Sequence, residues 1–133
     1  MSDFQFTKTT RRIIGCAMKV HNELGNGFQE IIYQRALARE MVTEDLEFVR
    51  ELPMTIMYKE EDICERRADF VVENKIMVEL KAITKIENVH FAQAINYLEA
   101  YKLEVGLLIN FGAKRLEFRR FANTLKQESA TSA

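Results

Sequence analysis

The chain has 133 residues, about the size of one ordinary domain, so we expect a single compact core. Its hydrophobic fraction of 47% and charged fraction of 29% are typical of a folded protein, and one Pro with five Gly excludes collagen-like or Gly/Pro-rich disordered chains. Nineteen Lys and Arg against twenty Asp and Glu give a formal net charge of -1, which excludes nucleic-acid binding by global charge alone. Any phosphate-bearing partner must be attracted by a local patch or a metal.

The sequence also bounds the compartment. The N-terminus has no apolar signal-peptide core, and no run approaches the roughly 18 apolar residues of a membrane helix. We therefore expect a cytoplasmic protein with no membrane partner. Cys16 and Cys64 form no CxxC pair, and structural thiols in a reducing compartment explain both. The two histidines, His21 and His90, lie at none of the usual zinc-ligand spacings to them.

Two helices are predicted first. Apolar residues spaced by three and four indicate an amphipathic helix that starts after the threonines at 7–10 and ends at Gly25. A second helical pattern covers residues 28–43. The glycines between them favour a tight corner.

Three strands follow as an antiparallel meander. From Phe48 to Tyr58 apolar and polar residues alternate, and Pro53 indicates a sheet edge. A charged turn at 59–62 precedes a strand at 68–72, and a turn at 73–75 precedes a strand at 76–82.

A helix and two strands complete the predicted domain. Asn88 can cap a helix that runs to about Tyr101, residues 105–111 form a nearly unbroken apolar strand, and residues 116–121 form a last strand. The order ααβββαββ predicts an α/β (α+β) fold, with a mixed central sheet flanked by helices. We expect one domain over residues 1–124 and a disordered tail over 125–133.

The strongest chemical signal is Glu79 with Lys81. Residues two apart on a strand point to the same face, so a carboxylate and an ammonium share one side of an inner strand. If the preceding turn has odd length and is centred on Asn74, Asp69 lies directly opposite Glu79. A two-residue turn would place Asp69 on the other face, unless a bulge shifts the register.

Opposed carboxylates repel, so a site that joins them usually holds a cation. Mg²⁺ is bound by one or two carboxylates together with water and substrate phosphate. Asp69, Glu79 and Lys81 therefore predict a metal-assisted phosphodiester site. The alternative is a solvated strand face, with Asp69 paired to Arg66 or Arg67, since an ExK triplet occurs by chance in many proteins.

Glu30 is a further candidate. It shares a helical stripe with Tyr33, Leu37 and Met41, which favours an inward carboxylate. It also lies in the first turn of its helix, where a glutamate can act as a cap.

Polar residues on the last helix and after it could contact a substrate. His90, Gln93 and Tyr97 form a polar stripe that could hang above Glu79 and Lys81. A helix-terminal histidine and a core-edge tyrosine are the ordinary alternatives. A basic group could track a phosphate backbone or be solvated surface: Lys114, Arg115, Arg119 and Arg120.

These motifs together resemble a known family. Residues 27–33 read GFQEIIY, 68–70 ADF, 78–82 VELKA, 90–97 HFAQAINY and 105–112 VGLLINFG. The chain resembles the GxxExxY proteins, a family placed in the PD-(D/E)XK nuclease superfamily, from about residue 13 to residue 120. The resemblance implies a restriction-endonuclease-like αβββαβ core. Ala68 stands where the superfamily name has proline.

The resemblance also implies roles for individual residues. Asp69 and Glu79 would be metal-binding carboxylates, Glu30 the helical acid near the metal, and Lys81 the catalytic lysine. Gln93 and Tyr97 match the Gln-x-x-x-Tyr element of RecB-like members. The expected function is a Mg²⁺- or Mn²⁺-dependent nuclease acting on nucleic acid, preferentially DNA.

Two rival functions remain open at this point. One is a catalytically silent nucleic-acid-binding or assembly module with a nuclease-like fold, and the other treats the acids as surface charge. Because a duplex cutter must meet two strands, we also expect a homodimer or a partner protein.

Overall fold

The computed structural model describes the backbone of residues 2–123 and the side chains of residues 6–123. The predicted tail at 125–133 lies outside these residues. The elements follow the predicted order: α1 Ser2–Leu24, α2 Glu30–Thr43, β1 Phe48–Tyr58, β2 Glu61–Val72, β3 Ile76–Lys81, α3 Asn88–Tyr101, β4 Val105–Asn110 and β5 Glu117–Ala122. Among the described helices, none combines the length and the apolar character needed to cross a membrane.

The five strands form one mixed sheet in the order β1-β2-β3-β4-β5. β1, β2 and β3 pair as an antiparallel meander, β4 lies parallel to β3, and β5 returns antiparallel to β4. The predicted α+β class with a mixed sheet is confirmed. β1 lies at the sheet edge, as Pro53 indicates, and β4 is interior and buried along its length.

Helices cover the two faces of the sheet. On one face, α1 and α2 pack over a first core that contains Tyr33, Phe70, Val78 and Leu80. On the other face, α3 packs over a second core that contains Met77, Leu98 and Leu108. Since Met77 and Val78 are neighbours on β3, the two cores lie on opposite sides of the sheet. Glu79 and Lys81 share the face of Met77 and therefore lie on the α3 side.

α1 begins earlier than predicted, at Ser2 and not after the threonines. Phe6 and Thr10 are buried and continue the spacing of Ile13 by four and three residues. The hydroxyl of Thr10 donates to the carbonyl of Thr7 at 2.9 Å, so this threonine is accommodated inside the helix. The threonines therefore do not mark its start.

Two other boundaries differ from the prediction. β2 starts at Glu61 because Lys59 and Glu60 have positive φ angles of 48° and 70°, the two-residue hairpin turn that matches strand twist. Glu61 and Asp62 of the predicted 59–62 turn thus enter the strand, and Lys59 and Glu60 form the turn. At α3 the N-cap is Glu87, and Asn88 is the first helical residue.

The cysteines are free, and only one is structural. Cys16 is buried in the first core, and burial raises the pKa of its thiol. Cys64 is exposed on β2, where it pairs with Ile56. The prediction of two structural thiols is therefore wrong for Cys64, because this part of the hairpin is not covered by a helix.

Candidate active site

The turn between β2 and β3 sets the register of the two acids. Glu73 and Asn74 have positive φ angles of 55° and 60°, and the pairs Phe70↔Val78, Val71↔Met77 and Val72↔Ile76 show an odd-length turn centred on Asn74. This is the register that was predicted to bring Asp69 opposite Glu79. Regular pairing ends at Phe70↔Val78, one residue before the acids.

Where β2 and β3 separate, hydrogen bonds to the two carboxylates replace the backbone hydrogen bonds between the strands. The N–H of Asp69 donates to Glu79 Oε2 at 3.0 Å, and Asp69 Oδ2 accepts from the N–H of Leu80 at 2.8 Å. Each carboxylate therefore binds a backbone donor that a regular strand pair would have given to a carbonyl. Backbone donors hold both carboxylates in fixed orientations.

β2 changes face at Asp69. Phe70 packs in the first core and Ala68 in the second, although residues two apart on a regular strand share a face. Opposite this point, Glu51 of β1 has a positive φ of 54°, which bends the paired strand. Asp69 lies at the bend and so can reach α2 as well as β3.

Gln34 of α2 orients Asp69 from the helical side. Its Nε2 donates to Asp69 Oδ1 at 2.8 Å, and the residue is only 4% exposed. Its Oε1 is buried without a hydrogen-bond partner among the described residues. A buried acceptor beside a carboxylate is an uncommon feature, since such oxygens are nearly always satisfied.

Glu79 is buried and paired with an arginine. Its side chain is 6% exposed, and Oε1 accepts from Arg66, whose side chain is 27% exposed. Burial raises the pKa of Glu79, with a further increase from the charge of Asp69, while Arg66 opposes the shift. The surface-charge interpretation is therefore wrong for Glu79, and the arginine predicted to answer Asp69 pairs with Glu79.

Glu30 lies at the edge of the site. It is exposed as a residue, unlike the fully buried Tyr33 and Leu37 of its predicted stripe, so the expected inward orientation is not observed. Partial desolvation raises the pKa of its carboxyl, Asp69 adds to the increase, and Lys81 opposes it. Its carboxylate is thus within electrostatic reach of both residues. Glu30 does lie in the first turn of α2, where its charge favours the helix dipole, but within the described structure it makes no capping hydrogen bond at Gln29.

The chemistry of the donor set suits a hard cation. The main-chain N–H of Asp69 donates to the carboxylate of Glu79, which places the two acids side by side, and Mg²⁺ needs no more than one or two carboxylates from the protein. Within residues 6–123, no three His, Cys, Asp or Glu side chains are grouped closely enough to hold a metal ion. The structure therefore brings Asp69 and Glu79 together and leaves Glu30 beside them.

The three polar residues of α3 that were predicted to contact a substrate have different surroundings. The Tyr97 ring lies 3.7 Å from the Arg66 guanidinium carbon, which connects this side chain to the acids. His90 Nδ1 accepts from the N–H of Glu87 at 3.0 Å, the ordinary role of a histidine at a helix N-terminus. Gln93 is exposed, one turn before Tyr97.

The basic group is split between the two sides of the sheet. Lys114 and Arg115 are exposed and line a hollow of about 330 Å³ with His21 of α1. Arg119 lies on the α3 side, with its guanidinium carbon 5.6 Å from the Phe91 ring. In the described part of the chain, no ion pair joins these three residues to Asp69 or Glu79.

Comparison with known proteins decides the family. The sequence profile of the PD-(D/E)XK nuclease superfamily matches residues 7–121, most of the chain. The chain belongs to this superfamily. No curated protein sequence matches it.

Two solved structures share the superfamily fold with this chain. The crystal structure of SSO0001 is 19% identical with a TM-score of 0.51, and the match covers 77% of this chain and 58% of that one. An alkaline exonuclease from Laribacter hongkongensis, LHK-Exo, is 12% identical with a TM-score of 0.52, covering 76% and 60%. The match spans about three fifths of the length of either structure.

Tyr33, in the segment that reads GFQEIIY, is a structural support. The hydroxyl of Tyr33 donates to the carbonyl of Gly25 at 2.6 Å and accepts from the N–H of Phe28 at 3.1 Å. Its ring stacks on Phe111, with 4.6 Å between centroids. Tyr33 thereby fixes the corner from which α2 presents Glu30 and Gln34.

Asn110 fixes the chain that follows Lys81. It is fully buried, and its Oδ1 accepts from the N–H groups of Ile83 and Gly112 at 2.9 and 3.0 Å. Its Nδ2 donates to Glu117 at 2.9 Å. The hydrogen bond from Asn110 lowers the pKa of Glu117, and one from Ile86 adds to that effect. These contacts tie the end of β3 to β4 and β5.

The sequence interpretation missed two residues around the acids, Gln34 and Tyr101, and named Arg66 only as an alternative partner of Asp69. Gln34 could have been found, since it follows Glu30 by four residues on a helix. Tyr101 follows Tyr97 by the same interval, but no sequence pattern indicates that its hydroxyl accepts a hydrogen bond from Arg66. The pairing of Arg66 with Glu79 has no signal in the sequence, because it depends on the bend of β2 at Asp69.

Proposed function

We propose that this chain is a Mg²⁺- or Mn²⁺-dependent nuclease of the GxxExxY type, which hydrolyses phosphodiester bonds of nucleic acid and prefers DNA. The observation that carries the proposal is the reciprocal arrangement of Asp69 and Glu79 at the end of the β2–β3 ladder. Superfamily membership supports the reaction class. A neighbour of like fold is an alkaline exonuclease, which agrees with the proposal.

Asp69 and Glu79 would hold the divalent cation, with Glu30 as an additional carboxylate at the edge. The buried, unpartnered Oε1 of Gln34 is a further oxygen beside Asp69 that a cation or its water could satisfy. When bound, the cation supplies positive charge to the phosphate and lowers the pKa of a water molecule.

The chain's own residues would complete the chemistry. Lys81 shares the α3-side face of Glu79, where its ammonium can position the attacking water or offset charge that develops on the phosphate. Gln93 would donate to water or phosphate. The proposed substrate contacts are Tyr97, His90, Lys114, Arg115 and Arg119.

Cleavage by a Lys81→Ala variant tests this function. Removing a single group that stabilises developing charge lowers rates by roughly 100- to 1,000-fold, so we expect a loss of that size with Mg²⁺ or Mn²⁺ present. Lys85→Ala is the matched control, because Lys85 is an exposed lysine four residues later. Cleavage of DNA and RNA that persists at the wild-type rate in Lys81→Ala would contradict the proposal.

The catalytically silent binding module is the second candidate. The pairing of Arg66 with Glu79 favours it, because a metal ligand is already engaged by a cation. Gel shifts separate the two functions. Equal binding of nucleic acid in EDTA and in Mg²⁺, with no cleavage under either metal, would establish the binding module and refute the nuclease.

A homodimer or a partner protein would supply the surface needed to meet both strands of a duplex. The short chain leaves little area beyond its core. Light scattering measures the mass with and without duplex DNA. A monomer that cleaves both strands at normal rates would refute this part of the proposal.

A further inference from the structure

Arg66 holds a position between the metal-site acid and α3. Its guanidinium binds Glu79 Oε1 and donates to the hydroxyl of Tyr101 at 3.2 Å. Its face lies on the Tyr97 ring, 3.7 Å from carbon to centroid. Tyr97 and Tyr101 stack on each other, with 5.9 Å between centroids. Three contacts of Arg66 therefore define its position, and the stack between the two tyrosines supports two of them.

The oxygens of Glu79 are both engaged in this arrangement. Oε2 accepts from the N–H of Asp69, and Oε1 accepts from Arg66. A carboxylate that is 6% exposed is strongly destabilised without a positive partner. Arg66 supplies that partner in the absence of metal. A divalent cation would also supply positive charge to this carboxylate, so Arg66 and the cation would have the same function at Glu79.

We propose that Arg66 is a built-in counter-cation that competes with the divalent metal for Glu79. This inference rests on the proposed function, because it needs a cation at the two acids. In the metal-free protein the guanidinium keeps Glu79 paired. When the cation binds the carboxylate of Glu79, the ion pair between Arg66 and Oε1 breaks. Arg66 then retains its contact with the Tyr97 ring and its hydrogen bond to the Tyr101 hydroxyl.

Competition has a thermodynamic consequence. If the cation weakens the Arg66–Glu79 pair, removal of Arg66 must strengthen cation binding by the same factor. A purely structural arginine predicts the opposite, since its loss would disorder Glu79 and weaken the metal site. The sign of the change in affinity therefore distinguishes the two roles.

Mn²⁺ titration of the full chain without nucleic acid measures this sign. Arg66→Met removes the charge and keeps a long apolar stem on Tyr97. We expect Arg66→Met to bind Mn²⁺ about tenfold more tightly than the wild type, within the usual range for coupled sites. The readout is the signal of free Mn²⁺ in electron paramagnetic resonance, which needs no activity.

Arg67→Met is the matched control. It removes the same charge from the next residue, which is exposed and points to the other side of the strand. Because exposed charges are screened, we expect its affinity to stay within about twofold of the wild type. Equal affinities of the Arg66 and Arg67 variants would overturn the competition, since a general charge effect would then explain both.

Arg66→Lys provides a second variant in case Arg66→Met folds poorly. Lysine keeps the charge and lacks the planar guanidinium that pairs and stacks at once. We expect Mn²⁺ affinity above the wild-type value and below that of Arg66→Met. Unchanged or weaker binding overturns the inference and leaves the nuclease proposal intact. No Mn²⁺ binding by the wild type or any variant overturns both.

Discussion

The main chain of Asp69 is hydrogen-bonded to the side chain of Glu79, at 3.0 Å from N–H to Oε2. The bond forms where β2 leaves β3, so the two acids that we propose as metal ligands also close the end of the sheet ladder. A change to either carboxylate therefore alters chemistry and strand pairing together. Conservative amide variants are the informative ones.

Gln34→Ala should lower activity without unfolding the protein. The amide of Gln34 orients Asp69 Oδ1, which we propose binds the cation. Losing the hydrogen-bond partner of a metal ligand costs roughly 10- to 100-fold in metal affinity or rate. Mn²⁺ affinity and cleavage rate should fall together. Gln29→Ala, at the N-cap of the same helix, should change neither. Wild-type affinity in Gln34→Ala would show that Asp69 does not need this contact.

Tyr33→Phe should destabilise the corner between α1 and α2. The variant keeps the stack on Phe111 and loses the hydroxyl contacts to Gly25 and Phe28. Each such hydrogen bond is worth about 1 kcal/mol, so the loss of both corresponds to a fall of roughly 8 °C in Tm. Thermal unfolding checks this, with Tyr58→Phe, an exposed tyrosine, as the control. Equal Tm values for the two variants would contradict the assigned role.

Asn110→Ala should be the most destabilising change considered. It leaves the N–H groups of Ile83 and Gly112 without their acceptor and removes the side-chain donor of Glu117, which keeps only the N–H of Ile86 among its described donors. We expect a loss of about 2–3 kcal/mol in the free energy of unfolding, measured by urea titration. Asn96→Ala, on the exposed side of α3, should lie within about 0.5 kcal/mol of the wild type. A similar loss in both variants would argue against the network.

The pH dependence of stability should reveal the buried acid. The folded-state pKa of Glu79 is raised by burial, so the folded protein binds more protons than the unfolded chain above the ordinary glutamate range. Stability in EDTA must then fall as pH rises from the unfolded pKa through the raised one. Glu79→Gln lacks this slope. The Tm of Glu79→Gln minus the Tm of the wild type should therefore rise as the pH rises.

Parallel curves across that window would show that Glu79 does not titrate as its burial implies. Glu30 is the second acid with a raised pKa, and burial is again the main cause. Glu30→Gln should reproduce the effect in weaker form because the residue is exposed. Comparison of the two amide variants thus assigns the slope to one position.

Local patterns predicted the element order and left two registers of the acids open, one for an odd-length turn and one for a two-residue turn. The length of the turn at residues 73–75 decides whether Asp69 lies opposite Glu79, and the turn length depends on residues adjacent in sequence. Apolar spacing likewise predicted α2, α3 and β4. The start of α1 and the length of β2 were not predicted, because a buried threonine and a two-residue turn override the residue preferences.

The sequence by itself determined the kinds of groups available: two acids on neighbouring strands, a lysine on the face of one of them, and an overall charge near zero. Only the tertiary structure decided which partners those groups take. The bend of β2 at Asp69 brings Gln34 to one acid and Arg66 to the other, across 35 and 13 residues of chain. Such contacts arise from strand twist and helix packing, which join residues that no local pattern connects.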